Sequence, residues 1–197
     1  DTVIATLNYY GVTKITALIL SHEDADHSAN SNSIQEQYQV NKVVSIGEDI
    51  RFSSTVLRYL DGGEFKNEND QSLIYYLDHQ NVRFLFLADV SQAVELQLIK
   101  RYPNLKVDVL KVAHHGSSTS TSLHFLHQIQ ARIALISVGQ NSYGHPSNQV
   151  LAALNAYQLK ILSTQTLGDI RMRFIFNGLW MSDSMGQHYF SLSSSKE

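Results

Sequence analysis

The densest group of side chains that could bind a metal ion lies between Ser21 and His27. Two histidines and two aspartates fall within six residues there, in the spacing His22-x-Asp24-x-Asp26-His27. Imidazole and carboxylate groups together are ligands for divalent ions such as zinc and manganese. The chain has no cysteine, so any metal must bind to histidine and carboxylate ligands. A solvated acidic turn is the alternative, but burying four such groups without a cation would cost free energy.

Three further segments place a histidine or an aspartate after an apolar stretch. Asp89 follows one such stretch, His114 and His115 follow another, and His145 lies in a turn beyond a third. Each has an ordinary alternative, since Asp89 could cap the helix that opens at Ser91 and the histidines could simply be packed. Ligands usually bind α/β sheets at the carboxyl ends of the strands. The recurrence therefore predicts that these segments and the first cluster form one site.

The elements that must position these residues alternate between short apolar strands and amphipathic helices. Strands are predicted at 17–20, 42–46, 55–60, 72–77, 82–87, 107–112, 133–138, 159–163 and 168–176, with a hairpin at 78–81. Helices are predicted at 2–10, 28–38, 91–102, 123–129 and 146–157. This mixture of hairpins and strand–helix repeats predicts an α/β fold with helices layered against sheet. The serine-rich residues 191–197 are predicted to be a disordered tail.

Composition narrows the classes of function. The 197 residues suffice for one domain with its own core. The net charge of −3 gives no support to nucleic-acid binding through overall charge. The chain has no run of 18 apolar residues and is not predicted to span a membrane. It lacks an initiator methionine and a signal-peptide pattern, so we expect a fragment of a longer protein.

Taken in order, these stretches resemble the metallo-β-lactamase superfamily. Within it they are most similar to the C-terminal hydrolase-like domain of ComEC-type competence proteins, which internalise DNA during transformation. The resemblance covers roughly residues 10–170, and the stretches that carry it are 20–27, 69–74, 84–89, 110–117, 136–139 and 143–146. It implies an αββα sandwich over residues 1–190, with a dinuclear metal site on one edge. The family's opening strands precede the segment where this chain begins, so the resemblance also implies that one sheet lacks strands.

The resemblance implies a ligand set for two divalent metal ions, zinc or manganese. In this set His22 and Asp24 bind the first ion, Asp26 and His27 bind the second, Asp89 bridges both, and His145 completes the second site. His115, or its neighbour His114, completes the first site or acts as a general acid. The residues closest to the chemistry would thus be Asp26, Asp89, His114 and His115.

Two departures from the family pattern bear on the metal. Asp24 stands where most of the superfamily has histidine, and this harder ligand favours manganese over zinc. Asn69 and Asp70 stand where other members carry a further histidine ligand. The first metal is therefore one ligand short unless His114 or His115 supplies it.

The function implied by the resemblance is metal-dependent phosphodiesterase or nuclease activity that degrades the DNA strand that is not transported. The implied partners are single-stranded DNA and the remaining membrane and soluble domains of the parent protein, with no nucleotide cofactor. The implied location is the extracytoplasmic face of the plasma membrane.

Two other functions stay open. A catalytically impaired module that binds DNA or a partner protein is favoured by the incomplete ligand set and the low basic charge. A hydrolase of small esters or phosphodiesters is also compatible, because the metal motif alone does not choose between carbon and phosphorus centres.

Overall fold

The computed structural model describes residues 2–175, 178–186 and 188–193, without the side chains of Asp26 and of 188–193. The helices are α1 (Thr2–Tyr9), α2 (Ala25–Ser28), α3 (Ser31–Gln37), α4 (Gln92–Arg101), α5 (Leu123–Ile129), α6 (Asn148–Ala156) and α7 (Thr164–Leu167). The first strands are β1 (Lys14–Ile15), β2 (Leu18–Ile19), β3 (Gln39–Val40), β4 (Val43–Val44), β5 (Ile50–Phe52), β6 (Thr55–Leu60) and β7 (Ile74–His79). The later strands are β8 (Val82–Phe86), β9 (Val109–Lys111), β10 (Ile133–Ile136), β11 (Lys160–Ser163), β12 (Arg171–Ile175), β13 (Gly178–Ser182) and β14 (His188–Ser193).

The largest sheet has the strand order β11-β10-β9-β8-β7-β6-β5. The half from β5 to β8 is antiparallel and built from hairpins, whereas β8, β9, β10 and β11 are parallel. Parallel neighbours need long crossovers, which α4, α5 and α6 provide. The carboxyl ends of β8, β9 and β10 therefore lie side by side at one edge.

Each face of this sheet is covered. On one face α4, α5 and α6 bury an apolar core that includes Val94, Leu98, Phe125, Leu126, Val150 and Leu154. On the other face the sheet β12-β13-β14 packs Leu179 and Met181 near Phe84 and Val109. The small sheet β2-β4 packs its Val44 near Tyr75 of the same face.

Two more helices accompany the small sheets. The hydroxyl of Tyr38, at the end of α3, donates to Asn8 Oδ1 of α1 at 2.8 Å. The guanidinium of Arg171 on β12 lies over the rings of Tyr9 and Tyr10, 5.6 and 5.9 Å from their centroids. The layers thus follow the αββα order expected from the sequence. Among the described helices, none has the length and apolar character required to cross a bilayer.

Most of the predicted helices and strands are confirmed, with local shifts. The strand predicted at 72–77 begins at Ile74, because Asn69–Gln71 forms a 3₁₀ turn ahead of it. The two- and three-residue strands β1, β3 and β5 were not predicted, since they are too short to show periodicity.

The prediction of a disordered tail from residue 191 is wrong for 191–193. These residues belong to β14, whose backbone pairs with β13, and such pairing does not depend on apolar composition. Residues 194–197 lie outside the described part of the chain.

A buried carboxylate joins α4 to the loop that opens α5. Glu95 is fully buried, and its two oxygens accept hydrogen bonds from the backbone N–H groups of Thr121 and Ser122 at 2.5 and 2.8 Å. Burial raises the pKa of Glu95 from 4.5 to about 7, against the effect of these N–H donors, which favour the charged form. The folded chain therefore binds a proton here more tightly than the unfolded chain does.

We expect this proton to make stability depend on pH. A group with a raised pKa in the folded state stabilises the fold below its unfolded pKa, and that contribution is lost as pH rises through the folded pKa. Relative to Glu95→Gln, the free energy of unfolding of the wild type should fall between pH 4.5 and about 7. The fall should reach about 3 kcal/mol, since one pKa unit is worth roughly 1.4 kcal/mol.

Urea unfolding of both proteins at a series of pH values measures this difference. Glu36→Gln is the matched control, because Glu36 is exposed on α3 and its substitution should leave the pH profile parallel to that of the wild type. A constant difference between the wild type and Glu95→Gln across this range would contradict the prediction.

Candidate metal centre

Four loops meet at the edge where β8, β9 and β10 end. The backbone N–H of His114, after β9, donates to the carbonyl of Ala88, after β8, at 2.9 Å. The N–H of Ser147, beyond His145, donates to the carbonyl of Gly116 at 2.8 Å. These bonds link the loops that follow three neighbouring parallel strands, and the loop after β2 faces them from the opposing sheet.

Asp89 lies at the centre of this edge and is buried. Its Oδ1 lies 3.5 Å from His27 Nε2. Its Oδ2 lies 3.7 Å from His115 Nε2 and 3.8 Å from His114 Nε2. Each carboxylate oxygen thus faces histidines from a different side, and Asp89 does not act as a helix cap, since the N-cap residue of α4 is Ser91.

The surroundings of Asp89 favour its charged form. Burial acts to raise the pKa of Asp89, but the nearby imidazole of His27, with those of His115 and His114, outweighs it and lowers the pKa. A buried anion needs compensating positive charge. The site therefore suits a cation placed among these side chains.

His22 and Asp24 extend the group on the side of β2. His22 is buried, and its Nε2 lies 3.6 Å from Asp24 Oδ2. The rings of His22 and His27 are tilted against each other with centroids 4.1 Å apart. This places two imidazoles from one short loop against the carboxylate from another.

The donor set fits a divalent metal ion. One ligand atom each from His22, His27 and Asp89 lie within 4.8 Å of one another. Nitrogen and oxygen ligands 2.0–2.1 Å from one tetrahedral zinc lie roughly 3.4 Å apart, close to the 3.5 Å between His27 Nε2 and Asp89 Oδ1. His145 Nδ1 is also buried without a hydrogen-bond partner in the described structure, which is costly unless a ligand satisfies it. Burial and the neighbouring His114 and His115 lower the pKa of His145, whereas Asp89 acts to raise it. The lowered pKa favours the neutral form of the ring, which is the form that binds metals.

His114 and His115 differ in their surroundings. His115 Nδ1 lies 2.6 Å from the carbonyl oxygen of Ser137. A carbonyl only accepts, so this nitrogen carries a hydrogen, and in the neutral form of the ring Nε2, which faces Asp89, is the nitrogen with the lone pair. The ring of His114 instead meets the ring of His145 edge-on, with centroids 5.8 Å apart.

The loops reach this arrangement through unusual backbone conformations. The φ angles of Ala88, His114 and His115 are 48°, 47° and 53°, in the left-handed region that glycine tolerates best. Gly116 has φ 83°, and a Cβ atom there would lie 2.7 Å from Pro146 Cβ. Glycine is thus required where the loop that carries His115 passes the loop that carries His145.

The structure brings most of the predicted residues together. His22, His27 and Asp89 form the tightest group, Asp24 lies beside His22, and His114 and His115 lie beside Asp89. His145 adjoins His114. The backbone of Asp26 lies in α2 between these ligands, and its side chain falls outside the described part of the structure.

Three residues near the site had no role predicted from sequence. Ser21 lies between the rings of His22 and His27. Lys111 lies at the end of β9, and burial lowers its pKa, whereas the charge of Asp89 acts to raise it. A lysine within an apolar strand is the sequence feature that could have pointed to this residue. The third is Asp70. Its Oδ1 accepts from the backbone N–H of Ser91 at 2.8 Å and so holds the segment that follows Asp89.

Two solved structures align with part of the chain. One is a diphosphatase of the PhnP family, 13% identical, which aligns over 67% of this chain and 63% of its own with a TM-score of 0.43. The other, from Thermotoga maritima, is described as a zinc-dependent hydrolase of the metallo-β-lactamase superfamily. It is 11% identical and aligns over 78% of this chain and 85% of its own, with a TM-score of 0.43.

No protein-family profile matches the chain, but curated relatives do. ComE operon protein 3 of Bacillus subtilis is 26% identical over 87% of this chain and 26% of its own length. Recombination protein 2 of Haemophilus influenzae is 30% identical over 80% of this chain and 22% of its own. Competence protein ComA of Neisseria gonorrhoeae is 27% identical over 86% of this chain and 27% of its own.

The chain spans about a quarter of the length of these relatives, whereas the alignments cover most of the chain itself. The chain is therefore a homologue of the ComEC-family competence proteins.

Proposed function

We propose that this chain is a metal-dependent phosphodiesterase domain that cleaves DNA and degrades the strand that is not transported during DNA uptake. The observation that carries the proposal is the convergence of ligand atoms from His22, His27 and Asp89 within 4.8 Å, in a homologue of competence proteins. The net charge of −3 does not oppose it, because bound divalent cations would supply positive charge where phosphate binds.

The ligand assignment for two ions rests on the arrangement around Asp89. Its two oxygens face different histidines, which suits a carboxylate that bridges two ions. We assign His22 and Asp24 to one ion and Asp26 and His27 to the other. His145 joins the second set through its buried Nδ1. Divalent cations held there would supply Lewis-acid activation of a phosphoryl oxygen and of the attacking water.

The two adjacent histidines are assigned different tasks. The Nδ1–H of His115 is held by the Ser137 carbonyl, so its Nε2 lone pair suits a metal ligand. This supplies the ligand that Asn69 and Asp70 do not. His114 remains as the group that protonates the leaving oxygen from Nε2.

The domain is proposed to act as part of a longer protein. Its relatives are about four times as long as the portion it matches. We infer that the remainder includes membrane segments and that this domain lies on the extracytoplasmic face, where incoming DNA would reach it. Its partners would be single-stranded DNA and the other domains of the parent protein.

Removal of the bridging carboxylate should abolish cleavage. Asp89→Asn is expected to lower manganese-dependent cleavage of single-stranded DNA by about 100-fold or more, because groups that only support metal ligands already cost about 10–100-fold. Cleavage of a fluorescent oligonucleotide with added manganese measures this. Asp78→Asn is the matched control, because Asp78 is exposed near the opposite end of the sheet. This variant should cleave the oligonucleotide as the wild type does.

Two results would change the assignment. Equal cleavage by Asp89→Asn and the wild type would place the activity elsewhere. A wild type that binds manganese without cleaving any DNA would favour the binding module, and cleavage of small esters alone would favour a small-molecule hydrolase.

Metal binding should stabilise the fold independently of any activity. A ligand at 100 times its dissociation constant stabilises a protein by about 2.7 kcal/mol, so zinc or manganese should raise the melting temperature of the wild type. His27→Ala should lose most of this rise. His124→Ala, at an exposed position on α5, should retain it. Equal rises in all three proteins, measured by calorimetry, would show that the metal binds away from His27.

The proposed roles of His114 and His115 can be distinguished with two substrates that differ in their leaving group. A p-nitrophenolate leaving group needs little protonation, so His114→Ala should cleave bis(p-nitrophenyl) phosphate far better than it cleaves DNA, each relative to the wild type. His115→Ala should be impaired equally on both substrates, because loss of a metal ligand affects every substrate. The reverse pattern would exchange the two roles.

A further inference from the structure

One hydroxyl contacts both imidazoles of the first motif. Ser21 Oγ lies 3.1 Å from His22 Nδ1 and 3.1 Å from His27 Nδ1. Ser21 follows β2 directly, and its carbonyl accepts from the N–H of Leu73 at 2.9 Å. The hydroxyl is therefore held in place by the backbone and is partly buried.

Only one arrangement of hydrogens leaves both rings ready to bind metal through Nε2. A serine hydroxyl offers two acceptor lone pairs and one hydrogen. If both Nδ1 atoms carry hydrogens, Ser21 accepts from both, and each Nε2 has a lone pair. If the hydroxyl donates to one Nδ1, that neutral ring carries its hydrogen on Nε2 and cannot bind metal there.

The outer ends of the rings favour the first arrangement. His22 Nε2 lies 3.6 Å from Asp24 Oδ2, and His27 Nε2 lies 3.5 Å from Asp89 Oδ1. These separations exceed the about 2.7–3.2 Å of N–H···O hydrogen bonds and leave room for a cation between the atoms. His115 repeats the pattern, with Nδ1 on a carbonyl oxygen and Nε2 toward Asp89.

We propose that Ser21 is a positioning residue that accepts hydrogen bonds from His22 and His27 together and holds both rings in the Nδ1–H tautomer. The two rings then present Nε2 to the metal before it binds. A second contact of this kind orients a ligand and raises its basicity. The inference rests on metal binding at this site, as in the proposed function, but not on the substrate.

The tautomers can be observed directly in the metal-free protein. Long-range ¹H–¹⁵N spectra of ¹⁵N-histidine-labelled wild type, at a pH well above the ordinary imidazole pKa of about 6.5, distinguish the two neutral forms. We expect His22 and His27 to be Nδ1–H. An Nε2–H signal for either ring would overturn the proposal without any variant.

Variants then test whether Ser21 is the cause. Ser21→Ala should give mixed tautomers at His22 and His27 and weaken the affinity for zinc by about 10–100-fold in a chelator competition. Ser21→Thr keeps the hydroxyl and should restore both properties. Ser72→Ala is the matched control, because the Ser72 hydroxyl is buried next to Leu73 without a hydrogen-bond partner in the described structure. Its tautomers and zinc affinity should equal those of the wild type.

Unchanged tautomers and affinity in Ser21→Ala would overturn the proposal, as would an equal loss in Ser72→Ala. A wild type that binds zinc but cleaves no DNA would contradict the proposed function. If its Nδ1–H tautomers still depended on Ser21, the proposed role of Ser21 would stand. The two failures are therefore distinguishable.

Discussion

The buried carboxylate of Asp89 is the constraint on which the rest of this edge depends. A charge at such a position is tolerated only when partners surround it, and three imidazoles approach its two oxygens from different sides. These partners come from loops far apart in sequence. They meet for two reasons. β8 and β9 are parallel neighbours, and β2 belongs to a small sheet that packs against one face of the large sheet. The mixed sheet and its crossover helices can thus be understood as the support for one anion.

The backbone of the loops around Asp89 adopts conformations that cost free energy. Left-handed residues other than glycine cost about 1–2 kcal/mol each, and Ala88, His114 and His115 all adopt this conformation. Hydrogen bonds between the loops offset part of this cost, as does the rigid core of α4, α5 and α6. Strained segments of this kind are common where side chains must be aimed at a ligand. Here both consecutive histidines face Asp89, while His115 also contacts the Ser137 carbonyl and His114 contacts the ring of His145.

Much of the site could be predicted because its residues follow apolar strands, a pattern that sequence displays directly. His22, His27 and Asp89 are of this kind, and the long strands and amphipathic helices were predicted for the same reason. The contact of Ser21 with both rings could not be, since it depends on ring orientation. The bond from Asp70 to the Ser91 backbone joins residues 21 positions apart, which only the folded chain brings together. The short strands β1, β3 and β5 carry too little periodicity to be predicted, and β14 pairs through its backbone although its composition is polar.

The left-handed conformations of His114 and His115 place the stability of the fold in conflict with the presence of two imidazoles at the site. Glycine or asparagine would adopt these backbone angles at lower cost, so either residue would make the fold more stable. Either would also remove an imidazole from the edge of the sheet. A library screened only for resistance to heat should therefore accumulate such replacements, whereas, under the proposed roles, one screened for DNA cleavage should keep histidine at both positions. The sequence variation tolerated here would thus report what the domain is retained for, rather than how well it folds.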